Sequence, residues 1–155
     1  MKHFKNFTLL ILFTTLSVNS FSQSLENFND VLSKKKIGKA VIKKVGKDIS
    51  ERTYLGVITD DRGQSKYYVV KEFLRIQAAI VFHGHSRILF FNMQNKLIKE
   101  AILSSNDELP FKFKANSLYF RYSENGIKKI FIEDVSTFPK MIWVKPDDCF
   151  DVSNP

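Results

Sequence analysis

Apolar and polar side chains alternate along most of this chain, and the period of the alternation changes once. Over residues 24–33 the apolar positions Leu25, Phe28, Val31 and Leu32 recur at helical spacing, with Ser24 placed to cap the first turn. From residue 52 onward the period is two. Short runs rich in Val, Ile, Tyr and Phe predict strands over 53–59, 66–73, 74–82, 87–93, 96–103, 111–114, 117–122, 127–133 and 141–145. Between them lie hairpin signals: the Asp60–Gln64 loop with Gly63, the tight Gln94-Asn95 pair, and Asn125-Gly126.

The same alternation assigns faces. In 74–84 one parity reads Leu74, Ile76, Ala78, Ile80 and Phe82, and is expected to face a core. The other reads Arg75, Gln77, Ala79, Val81 and His83, and is expected to face solvent or a cleft. A sheet with one wet face implies antiparallel pairing. The expected fold is all-β: a small antiparallel meander-type sandwich or barrel of about eight strands, with one short N-terminal helix. No repeat of propeller or solenoid length is visible. Adjacent Lys128 and Lys129 would interrupt the lipid-facing band of an outer-membrane barrel.

The N-terminus follows a different grammar. Lys2 and Lys5 precede an apolar run over 7–18, and small polar residues follow it. This is the three-part pattern of a secretory signal peptide, and the run is shorter than the ~20 residues a membrane span needs. The expected layout is a signal peptide over 1–23 and a single β-rich domain over 24–155. Within that domain the helix takes 24–33, a Lys-rich segment 34–47, antiparallel strands 52–145 and an acidic tail 146–155. The protein is expected to be exported, periplasmic or secreted, with no transmembrane anchor in the mature chain. Cys149 is the single cysteine, so no intrachain disulfide can form.

Charge changes the picture next. The chain carries 24 Lys+Arg against 16 Asp+Glu, a formal +8, which falls to +6 when Lys2 and Lys5 leave with the leader. Seven lysines, Lys34, Lys35, Lys36, Lys39, Lys43, Lys44 and Lys47, form the densest charge block. Such a block is either a solvated face or a surface that attracts polyanions by its summed field. Export argues against nucleic acid as the target and favours an anionic glycan, lipid headgroups or an acidic protein. Tyr67 and Tyr68 point to opposite faces, as do Tyr119 and Tyr122, so one of each pair is expected outside the core. Outward tyrosines beside lysines are material for a binding face as well as ordinary strand residues.

Candidate chemistry is sparse. His83 and His85 flank Gly84, and on a regular strand both imidazoles would project together, a workable pair of ligands for Zn or Cu. A third ligand would have to come from Asp60, Asp61, Asp147, Asp148 or Cys149. The plainer alternative is a hairpin loop with two solvated histidines. Ser86 adjoins His85 but would point to the opposite face, and no G-x-S-x-G, H-E-x-x-H or phosphate-loop motif occurs. The 147–151 segment has acidic oxygens without the spacing of a Ca²⁺ loop. The sequence therefore favours a non-catalytic binding protein that recognises an acidic ligand or protein partner in the cell envelope, an inhibitor or immunity role included. The alternatives are a metal-dependent or Cys/His enzyme centred on His83 and His85, and a structural subunit of a surface assembly.

Overall fold

The computed structural model describes residues 27–104, 108–122 and 126–144. The proposed leader, the capping Ser24, the Asn125 half of the Asn-Gly turn, Cys149 and the acidic tail lie outside the described residues.

Among the described residues the fold is all-β and sandwich-like, with two sheets and one very short helix, α1 (Asn29–Leu32). The large sheet runs β1 (Ala40–Val45), β2 (Asp48–Thr59), β3 (Ser65–Ala78), β4 (Val81–Asn92), β5 (Leu97–Leu103) and then β9 (Met141–Ile142). The small sheet is β6 (Lys112–Lys114), β7 (Ser117–Arg121) and β8 (Ile127–Phe131). The small sheet and β1–β5 of the large one are meanders in which neighbours in sequence are neighbours in space; β9 alone joins out of sequence order.

Three features depart from the sequence pattern. The sheet begins at Ala40 rather than near residue 52: the Lys-rich segment itself supplies β1, which pairs with β2 from Ala40↔Thr53 to Val45↔Asp48. Lys43, on the same face as Val41 and Val45, masked the apolar period those two carry. The last strand, β9, is parallel to its neighbour, with Ile102↔Met141 and Leu103↔Ile142. A parallel pair needs a long crossover, and here the whole small sheet is that connection.

The third departure is the β3–β4 hairpin. Its turn sits at Ala79 and Ile80, between the paired Ala78 and Val81, with Ala79 at φ +56°. The expected core parity through Ile80 and Phe82 therefore breaks: Ile80 is 91% exposed and Phe82 47%. Among the described residues no layer covers the hairpin tip, so its apolar side chains stay exposed.

The large sheet is covered on both faces. Leu55, Val69, Ile88 and Phe90 meet Leu118 and Phe120 of the small sheet, together with Val135, Phe138 and Val144 of the later chain. On the opposite face Tyr54, Val70, Leu89 and Phe91 pack beneath Phe28, Val31 and Leu32. This second core explains why Tyr67 and Tyr68 are both half-buried, each packed against a different cluster, although they point opposite ways. Gly56 (φ +151°) lets the small sheet lie close: a Cβ there would stand 2.8 Å from Cδ1 of Phe113.

Candidate ligand-binding site

The seven lysines do not form one patch. Lys34, Lys35 and Lys36 sit on the turn leaving α1, Lys39 precedes β1, Lys43 and Lys44 lie on opposite faces of β1, and Lys47 occupies its hairpin tip. All are exposed except the half-buried Lys43. Lys35 is engaged: its Nζ donates to the Tyr68 hydroxyl at 2.6 Å and lies 3.9 Å from that ring's centroid.

Lys34, Lys36 and Lys39 instead rim a hollow between α1 and β1. It has a volume of about 270 Å³ and a floor of Val31, Ala40 and Val41. Among the described residues its lining carries no carboxylate. An apolar floor under three ammonium groups that form no ion pair among the described residues suits a ligand that is anionic at one end and apolar at the other. The geometry follows from sequence: the amphipathic turn buries Val31 and leaves the lysines after it at the edge. β1, an edge strand, also uses Lys43 and Lys44 to discourage pairing with other chains.

His83 and His85 lie within β4 rather than in a loop. They pair with Ile76 and Leu74 and share the α1-covered face of the sheet, beyond the reach of α1. Both are exposed. The expected common direction holds, but Asp60 and Asp61 are at the far end of the sheet. Thr59 pairs with Ser65 whereas His83 pairs with Ile76, so roughly 35 Å of β3 separates them. Asp60 is in any case occupied. Its carboxylate accepts from Gln64 N–H at 2.8 Å and Arg62 N–H at 3.0 Å and pairs with Lys66 at 3.2 Å. Among the described residues no three His, Cys, Asp or Glu side chains group as a metal site. Ser86 is buried on the face opposite His85, which leaves no dyad between them.

One cluster had no counterpart in the sequence reading. Glu72 on β3 is fully buried and accepts from Ser50 Oγ (2.6 Å), Arg52 Nε (2.9 Å) and Arg87 Nε (2.5 Å). Arg87 continues to Glu100 at 2.8 Å. Arg52 also donates to the Asn27 carbonyl (2.6 Å) and lies 3.9 Å from the centre of the Phe28 ring. The network is a polar stripe across β2–β5, alongside the apolar core under α1. Its signal was a charge interrupting each apolar parity: Glu72 between Val70 and Leu74, and Arg87 before Leu89 and Phe91.

The fold and the hollow define a small two-sheet β protein with a basic recess. Comparison with protein-family models, with curated proteins and with solved structures gives no match.

Proposed function

We propose that this chain is an exported, non-catalytic binding protein for an acidic component of the cell envelope, and that Lys34, Lys36 and Lys39 around the hollow are its contact. The observation that carries this reading is the lysine rim over an apolar floor, next to an α1 turn anchored by Phe28, Val31 and Leu32. The leader pattern at 1–23 supports export, and the net positive charge supports an acidic partner. The inhibitor or immunity role is the same reading with a protein as the acidic partner.

The test is retention of the purified chain on an envelope fraction from its own source. Wild type is expected to bind at low ionic strength and to release as salt shortens the screening length. A folded Lys34→Gln/Lys36→Gln/Lys39→Gln variant should pass through. Equal retention of the triple variant overturns the assignment.

A second reading rests on a separate observation. Among the described residues, β4 from Val81 to Ser86 pairs only with β3, leaving that edge open beside the exposed Ile80 and Phe82. A structural subunit that assembles by strand addition would use such an edge. Concentration-dependent self-association abolished by a proline at Val81 would favour it, and a strictly monomeric chain would remove it.

A further inference from the structure

The outer face of the small sheet carries a second basic surface, independent of the hollow. Its inner positions, Phe113, Leu118, Phe120 and Ile130, pack on the core shared with the large sheet. The alternate, outward positions include Lys112, Lys114, Tyr119, Arg121, Lys129 and Phe131, with no Asp or Glu among the outward residues of the three strands. Register places Lys112 opposite Tyr119 and Tyr119 opposite Lys129. A tyrosine on the central strand therefore stands between two lysines, whose Nζ atoms lie 5.4 and 5.9 Å from its ring centroid. None of the four cations on this face forms an ion pair among the described residues.

Folding alone does not ask for this arrangement. Like charges gathered on one small face are unfavourable, and a three-stranded sheet with a covered inner face needs only neutral polar residues outside. Among the described residues no carboxylate pairs with these charges, which leaves them for an external anion. We propose that the outer face of β6–β8 binds a linear acidic polysaccharide, with a sugar ring against Tyr119 and its carboxylates on Lys112 and Lys129. The two lysine-bearing strands stand two strand spacings apart, about 10 Å, so they bracket a single ring rather than converge on one point charge. A groove for single-stranded nucleic acid would present a row of free stacking rings along a cationic track. Here Tyr119 is the one ring between the lysines, and the Arg121 guanidinium already lies 5.4 Å from the centre of the Phe111 ring. The small sheet and α1 cover opposite faces of the large sheet, so this surface and the lysine-rimmed hollow point away from each other.

The experiment is a titration of the full chain with alginate, a polyuronate, against neutral dextran, polyglutamate and oligo(dT). Tyr119→Ala should weaken alginate binding about tenfold, while Tyr119→Phe keeps it. Lys112→Gln/Lys129→Gln, at exposed positions where folding is not at stake, should lower both the affinity and its salt dependence. The hollow variant Lys34→Gln/Lys36→Gln/Lys39→Gln should bind alginate as wild type does, which separates this surface from the function proposed above. The proposal is overturned by no binding to alginate, or by loss of binding in the hollow variant. Tighter binding of oligo(dT) overturns it in favour of nucleic acid. Equal binding of polyglutamate and alginate with no effect of Tyr119→Ala reduces the surface to unspecific charge and also overturns it.

Discussion

Arg52 and Glu72 face each other across β2 and β3 with both side chains fully buried, Nε of the first 2.9 Å from Oε1 of the second. An ion pair at this depth loses hydration on both sides, and it holds because Ser50, Arg87 and the Asn27 carbonyl add further hydrogen bonds to the two side chains. The pair also ties the segment before α1 to the sheet, since Arg52 reaches Asn27, Phe28 and Asp30 at once.

Removing one member should therefore cost more than the pair is worth. Glu72→Ala is expected to destabilise the fold by about 3–5 kcal/mol, because two guanidinium groups lose their shared carboxylate. Urea unfolding followed through Trp143, the single tryptophan, would read this. Arg52→Met combined with Glu72→Leu should cost less than the sum of the separate changes, as a double-mutant cycle would show.

Gly56→Ala is expected to destabilise by about 1–3 kcal/mol. The new methyl would stand 2.8 Å from the Phe113 ring, at a backbone φ of +151° that favours glycine. Phe113→Leu in the same chain should recover part of the loss by opening that contact, while the backbone share remains. Thermal unfolding of the two single variants and the double variant separates the two contributions.

The β2–β3 hairpin should loosen in acid. The Gln64 N–H above all, with Lys66 and the Arg62 N–H, holds the Asp60 carboxyl below its ordinary value. A carboxylate with a lowered folded-state pKa contributes its full stabilisation above its unfolded-state value and loses it as pH falls through the folded one. Protection of the Gln64 N–H from hydrogen exchange, relative to its intrinsic rate at each pH, should fall below the ordinary carboxylate range. Asp60→Asn should show the lower protection already at neutral pH, with little further change on acidification.

His83 and His85 offer two ligands to a metal and the described residues bring no third. Zn²⁺ is expected to leave the melting temperature of the wild type no higher than that of His83→Ala/His85→Ala. A zinc-dependent rise lost in the double variant would show instead that a further ligand joins them, and would support the metal reading.

The strand grammar was largely legible because period-two alternation reflects a local property, the opposite directions of successive side chains. It correctly implied a meander with the Asp60–Gln64 hairpin and a helix turn burying Phe28, Val31 and Leu32. It failed where direction depends on what lies overhead. Ile80 and Phe82 look like core residues by parity, yet the chain turns at Ala79 and Ile80 and none of the described residues covers the tip. Lys112, Tyr119 and Lys129 are distributed over three strands, and only register brings them into one row.

By itself, then, the amino-acid order determined the class of fold, the basic character of the chain and the lysines after α1. Those follow from composition and near-neighbour periodicity, which act over a few residues. Tertiary structure decided the rest: the two cores that half-bury Tyr67 and Tyr68 on opposite faces, the parallel β5–β9 pair, the buried Glu72 network and the aromatic-cationic row outside the small sheet. Each of these depends on which strands lie side by side and which face receives a covering layer. That is set by long-range packing of apolar surface, not by any local run of residues.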